Sequence, residues 1–350
     1  MPAFPDFFHG IDAVRRRVGH TLDRAGLAPI ETPSEPMSRA PGITLARYGR
    51  AQEGEPVLLL VPAPIKRHYI WDLAPEYSVV RQALARRFGV YMIHWSEAPD
   101  EWGLDDYLRQ MLQALQAVEA DAHKKPHLLG HSLGGTLCAT LAARYPEAMA
   151  SLVLATAPLA MAERSGAFAP LLRWSPPAQA MLETLGPSVA GSVLNLGAML
   201  GSPEEFVWER ELDNVNAMAL GRECIARHWR VLRWSMDELP MPGRLFADVL
   251  DLLYRRDELM RGQLQVHGRR VAPSDVKAPI SVIIDERSRV VPPGSVLPFV
   301  EAASSASKTV MHYQGDIGIA LQHVGPLVGD SARRDIWPFI FQAMHNTTAT

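Results

Sequence analysis

The sequence predicts an α/β fold with a mostly parallel central sheet and a helical cap insertion. Three observations carry this. Short apolar runs alternate with helical stretches, the alternation stops between about residues 160 and 275, and a Gly-His-Ser-Leu-Gly-Gly segment joins one apolar run to the next helix. Apolar runs without polar alternation suit strands buried on both faces of a parallel sheet. Strand alternating with helix gives an α/β architecture.

Residues 1–45 form an N-terminal arm, rich in Pro and Arg and weakly patterned. A short helix is expected over Arg15 to Leu27 and an extended path over Ile30 to Pro41. The opening Met1-Pro2-Ala3-Phe4-Pro5-Asp6 has no basic stretch followed by an apolar one, so no signal peptide is expected. Residues 46–160 make the first part of the core. Its strands are read at Val57 to Val61, Gly89 to Trp95, His127 to Gly130 and Leu152 to Thr156, with helices over 79–88, 104–120 and 135–145. Residues 161–275 form the cap, with helical periodicity and Trp174, Trp208, Trp229 and Trp234. An insertion there lies over the strand ends, where α/β folds bind ligands. An ordinary set of packing helices is the plainer alternative. Residues 276–350 return to the core with strands at 280–284 and 309–313 and a helix over 331–345.

Composition excludes several function classes. With 35 Lys and Arg against 38 Asp and Glu, the chain has no electrostatic footprint for nucleic acid and no polybasic segment for an anionic membrane. Its longest apolar stretches are of strand length, far short of the ~20 residues of a membrane helix. Two cysteines, Cys138 and Cys224, supply neither a disulfide framework nor zinc-ligand spacing. A soluble cytoplasmic protein with reduced thiols is expected. No metal or resident cofactor is expected, since neither a ligand cluster nor a Gly-rich phosphate loop is present.

Gly130-His131-Ser132-Leu133-Gly134-Gly135 matches G-x-S-x-G between a strand and a helix, the context of a nucleophile elbow. The turn is sharp, so side chains at 130 and 134 would collide across it. Ser132 is the candidate nucleophile, and the N–H of Leu133 at the helix start faces a developing oxyanion. The bland alternative is a Gly-rich turn with an incidental serine.

A serine nucleophile needs a base, and elbow enzymes order their residues Ser, acid, His. His323 follows the last strand and precedes the C-terminal helix. His312 lies within a strand, where a buried structural role is expected, and His345 is near the terminus. The acid belongs at the end of the preceding strand. Asp285 is the first candidate, with Glu286 and Asp316 as alternatives; a solvated turn is the expected role of Glu286. The second oxyanion donor should follow the Val57 to Val61 strand. Pro62 and Pro64 have no N–H, which leaves Ala63 or Ile65, with Ile65 chosen.

Beyond the elbow, residues 57 to 345 resemble the polyhydroxyalkanoate synthases, especially the short class III type, and their α/β-hydrolase relatives. The likeness lies in Val61-Pro-Ala-Pro-Ile-Lys-Arg-His-Tyr-Ile-Trp-Asp72-Leu through Arg81 and in Gly103-Leu-Asp105-Asp106-Tyr107. It extends to Phe246 to Gly262, His323 to Gly329 and Ile336-Trp337-Pro338. It implies an α/β-hydrolase core with a helical cap, covalent acyl transfer from a thioester, and His323 as base.

Two departures matter. The synthases carry cysteine where Ser132 stands. A thiolate relays acyl groups better than a serine ester, so Ser132 tilts the reading from polymerase toward hydrolase, thioesterase or depolymerase. Cys138 lies in the following helix and is not a displaced nucleophile. The family's aspartate, three residues before Val-Pro, falls on Ser288 here, with Asp285 one turn earlier. Residues are also added between Gly315-Asp316 and His323.

The first function expected is therefore a serine acyl hydrolase or acyltransferase acting on (hydroxy)acyl esters or thioesters, including acyl-CoA or polyester. CoA enters only as substrate carrier; Lys66, Arg67 and Arg81 are the cations considered for its phosphates, and none is singled out as a site. The alternatives are a polymerase using serine, and a catalytically silent relative that binds granules or a partner enzyme. A homodimer is the assembly entertained.

Overall fold

The computed structural model describes residues 4–162 and 166–348. Met1 to Ala3 of the N-terminal arm, residues 163–165 of the cap segment and the last two residues lie outside the described residues.

Eight strands form one sheet: β1 (Glu35–Ala40), β2 (Ile43–Gly49), β3 (Val57–Val61), β4 (Gly89–Trp95), β5 (His127–His131), β6 (Ser151–Ala155), β7 (Ile280–Asp285) and β8 (Lys308–Tyr313). Their spatial order is β1-β2-β4-β3-β5-β6-β7-β8. The pairs from β4 to β8 are parallel, and β1 and β2 are antiparallel at one edge. Strands β3, β5 and β6 are buried at every residue, as their unalternating apolar runs require. One apolar core lies on each face of the sheet.

The edge differs from the sequence expectation. The segment read as an extended path holds β1, which turns at Pro41-Gly42 and pairs back with β2. Gly42 takes a φ of +76°, which suits a tight two-residue hairpin. The expected helix at 15–27 starts earlier, as α1 (Phe4–Leu22), and an irregular turn follows to Leu27. The core helices are α2 (Val79–Ala85), α3 (Leu104–Ala122) and α4 (Leu133–Arg144). Asp106 closes the start of α3 by accepting the Gly103 N–H at 3.0 Å, a carboxylate where the helix dipole favours one.

The segment 161–275 carries α5 (Phe168–Trp174), α6 (Ala178–Leu185), α7 (Gly191–Gly201), α8 (Glu209–Leu220) and α9 (Arg222–Ser235). Its last part is a small hairpin, Leu264–Val266 with Arg269–Val271. That hairpin is bonded to the core, where the Arg144 Nε donates to the Val266 carbonyl and the His267 N–H donates to Asp105. α1 anchors the cap from outside. The buried Asp12 carboxylate accepts the N–H groups of Gly191 and Ser192, both at 2.8 Å, and so caps α7. No helix among the described residues is long and apolar enough to cross a membrane.

Candidate active site

Ser132 stands between β5 and α4 with φ +54° and ψ −133°. A non-glycine residue there is strained, and such strain persists only where the surroundings over-determine it. The surroundings here are tight. A Cβ on Gly134 would lie 2.4 Å from the Val61 carbonyl oxygen, and one on Gly130 2.7 Å from both the Cys138 sulfur and the Gly134 carbonyl oxygen. The Ser132 N–H donates to the Ala155 carbonyl on β6 at 3.0 Å, which ties the elbow to the neighbouring strand. Cys138 is fully buried behind this turn, and burial pushes its thiol well above the ordinary range. It packs and does not react.

Ser132, Leu133 and His323 line one cavity of about 500 Å³ between the sheet and the cap. Its wall is mostly apolar, with Phe168, Leu194, Phe206 and Phe246 from the cap segment. His323 sits in a short 3₁₀ turn, Gln322–Val324. Burial, then the neighbouring His131, holds its imidazole well below 6.5, so the ring is neutral. The rings of His131 and His323 are 4.8 Å apart between centroids.

The loop after β3 brings both oxyanion candidates to the cavity. Ala63 and Ile65 line it, and the turn is closed by the Lys66 N–H donating to the Ala63 carbonyl at 3.1 Å. The Ile65 carbonyl accepts the Leu239 N–H at 3.1 Å, and the Trp95 indole donates to the Pro62 carbonyl at 2.8 Å. Leu133 is the first residue of α4, where N–H groups have no intrahelical partner.

The three acid candidates differ sharply. Glu286 is exposed and pairs with His312. His312 is thus a surface residue of the edge strand β8, and the expectation of a buried structural histidine is corrected. Asp316 accepts from the Tyr313 hydroxyl at 3.0 Å and the Ser331 hydroxyl at 2.7 Å, so it braces the turn that follows. Asp285 ends β7 and is 1 % exposed. Its Oδ1 accepts the Arg287 N–H at 3.0 Å, and its Oδ2 is buried with no hydrogen-bond partner. Burial pushes its carboxyl above the usual range. The Nδ1 of His323 is likewise buried without a partner, and no hydrogen bond joins the two.

The position where the resemblance places an acid is filled differently. Ser288 donates its hydroxyl to Glu205 at 3.1 Å and accepts the Val291 N–H at 3.1 Å. Glu205 comes from the cap, and nothing in the helical pattern around it distinguishes it in the sequence. The three cations named in the sequence are paired: Lys66 with Glu238, Arg67 with Asp237, and Arg81 with Asp72. Among the described residues, no group of three or more His, Cys, Asp or Glu side chains is arranged to hold a metal ion.

The family model described as the alpha/beta hydrolase fold matches residues 77–314, more than half of the chain. The chain belongs to the α/β-hydrolase-fold family. Within it, the chain is similar to poly(3-hydroxyalkanoate) polymerase subunits PhaC. It is 28% identical over 326 residues to that of Haloferax mediterranei, covering 89% of this chain and 63% of the relative. It is 24% identical over 307 residues to that of Allochromatium vinosum, covering 85% of this chain and 84% of the relative. The chain thus spans about three fifths of the length of the haloarchaeal relatives. Among solved structures, a monoacylglycerol lipase of Paleococcus ferrophilus matches with a TM-score of 0.58 at 16% identity, over 87% of this chain and 99% of that one. A hydrolase of Pseudomonas aeruginosa matches with a TM-score of 0.51 at 17% identity, over 91% and 98%. At such identities these neighbours show the fold alone.

Proposed function

We propose that the protein is a serine-dependent acyl hydrolase or acyltransferase acting on (hydroxy)acyl esters or thioesters. The observation that carries this reading is Ser132, held at positive φ at a strand-to-helix elbow and facing the same apolar cavity as a neutral histidine. The similarity to polyhydroxyalkanoate polymerase subunits supports hydroxyacyl thioesters as the substrate class.

Ser132 Oγ attacks the acyl carbonyl while its proton passes to His323 Nε2. The carbonyl oxygen gains charge beside the N–H groups assigned to Leu133 and Ile65. Collapse of the tetrahedral species breaks the bond to the leaving thiolate or alkoxide, and His323 returns the proton to it. The acyl-Ser132 ester then passes to water: His323 takes the water's proton and returns it to Ser132 Oγ as the acyl–oxygen bond breaks, so a free acid leaves and the serine hydroxyl and neutral histidine are restored. Asp285 is assigned as the acid because it alone among the three candidates keeps a buried oxygen unused. In this role it accepts from the Nδ1 side of His323 in the substrate complex, since catalytic hydrogen bonds are often long in the free enzyme.

A second reading, favoured by the similarity to polymerase subunits, is transfer of the acyl group to the hydroxyl of a growing polyester instead of to water. The test begins with a fluorophosphonate probe read by intact mass on wild type, Ser132→Ala, His323→Ala and Asp285→Ala. One adduct is expected, absent in Ser132→Ala, reduced to a slow residual rate in His323→Ala and slowed in Asp285→Ala. A folded wild type without adduct would overturn the reading and leave a silent binding relative. Hydroxybutyryl-CoA then separates the acceptors: free acid together with CoA supports hydrolysis, whereas CoA release with polymer and no free acid supports the second reading.

A further inference from the structure

Two residues with no part in this chemistry meet on the backbone of His323. His131, the residue before the nucleophile, is buried, and its Nε2 lies 3.0 Å from the His323 carbonyl oxygen. A carbonyl only accepts, so this bond needs a proton on Nε2. Burial lowers the pKa of the His131 ring to about 4, which leaves a neutral ring with its one proton on Nε2. The Thr156 hydroxyl donates to the same carbonyl oxygen at 3.3 Å.

Thr156 follows β6 and is wholly buried, with φ +41°. A β-branched residue in the left-handed region is a true outlier, and such outliers collect at functional sites. Its N–H donates to the Ile283 carbonyl on β7 at 2.9 Å, which pins it across the sheet. Both lone pairs of the His323 carbonyl are therefore engaged, one from the end of β5 and one from the end of β6. The ring's own Nδ1 has no partner. His323 is held from its backbone, in a turn preceded by Ala320 at φ +73°.

We propose that His131 and Thr156 are positioning residues: a two-donor clamp on the His323 carbonyl that sets the imidazole against Ser132. The clamp rests on the reading of His323 as the base. It predicts that either donor matters through His323 alone, and that only the donated hydrogen bond matters.

The test measures the rate of fluorophosphonate labelling of Ser132 in His131→Leu, His131→Gln, Thr156→Val and Thr156→Ser, each with its melting temperature. The Leu and Val variants should label about 10- to 100-fold more slowly, as misplacement of a base by up to about 1 Å does. The Gln and Ser variants, which keep a donor, should return to within about threefold of wild type. Built on His323→Ala, the Leu and Val substitutions should slow the residual labelling no further, because residues that act through one group are not additive. Should Thr156→Val fail to fold, His131→Leu against His131→Gln carries the same comparison. Leu and Val variants that label at the wild-type rate, conservative variants that slow as much as the others, or equal slowing in the His323→Ala background would each overturn the clamp. A wild type that does not label overturns the serine reading itself, an outcome visible before any of these variants is compared.

Discussion

Glu205 Oε1 lies 3.1 Å from Ser288 Oγ, so a carboxylate of the cap closes the loop that follows β7. Its Oε2 also accepts the N–H groups of Arg289 and Val290, at 3.2 and 3.1 Å. The side chain is 6 % exposed. Three donors on one buried carboxylate fasten cap to core at the place where the synthase resemblance expects an aspartate.

This contact has a pH signature. Burial raises the Glu205 pKa to about 7, against the opposing pull of the Ser288, Val290 and Arg289 donors. A raised folded-state pKa contributes stability below the ordinary carboxyl value that is lost as pH rises through about 7. Glu205→Gln removes that titration. The melting temperature of the variant, measured relative to wild type, should rise between about pH 5 and about pH 8. Parallel melting curves across that range would show that Glu205 does not titrate within it.

The proposed base, His323, sets a second pH expectation. Burial and His131 hold His323 well below 6.5, and a general base works only when unprotonated. The depressed pKa means the neutral form, which is the one the fold favours, is lost only as pH falls well below that ordinary value. Labelling of Ser132 should stay level from about pH 8 to about pH 6 and decline only below that. A rate that halves near the ordinary histidine value would contradict the buried setting of His323.

The elbow tolerates no side chain at residue 134. A methyl there meets backbone, the Val61 and Pro62 carbonyls at 2.4 and 2.7 Å, and not a flexible side chain. Gly134→Ala should cost about 1–3 kcal/mol in a denaturant melt and abolish labelling, because the loop that carries the proposed second oxyanion donor must move. Retained labelling at wild-type stability would show that β3 and α4 separate more easily than this packing allows.

Lys66 and Glu238 bind the core to the cap. Lys66 Nζ lies 2.7 Å from Glu238 Oε1 and donates to the Ser235 carbonyl at 3.1 Å, and Arg15 of α1 reaches the other carboxylate oxygen at 3.2 Å. Lys66→Met leaves Glu238 buried with Arg15 alone. It should cost about 3 kcal/mol, the low end for breaking a buried pair because one cation remains. Adding Glu238→Leu should recover part of that loss, which a double-mutant cycle measures. Additive losses would mean that the pair is not coupled.

Local patterns made much of this molecule legible. Strands β3 to β8 are short apolar runs, and α3 begins where Gly103 and Asp106 place a start signal. The strand-to-helix turn follows from the spacing of Gly130, Ser132 and Gly134, and His323 does stand after the last strand, on the cavity wall. The edge hairpin was also encoded, in Pro41-Gly42 followed by the alternating Ile43 to Tyr48, though the Pro-rich surroundings masked it.

The sequence by itself determined the parallel part of the sheet, the strand-to-helix turn at Ser132 and the chain order of the candidate groups, because each depends on residues close together in the chain whose sterics and burial are set locally. Only the tertiary structure decided what surrounds them. His131 and Thr156 reach a carbonyl 192 and 167 residues away. Glu205 meets Ser288 across 83 residues. The three acid candidates, alike in sequence, were separated by what they touch: a surface histidine for Glu286, two hydroxyls for Asp316, and an unused buried oxygen for Asp285. A carboxylate's role follows from its desolvation and its donors, and both are properties of the packed chain.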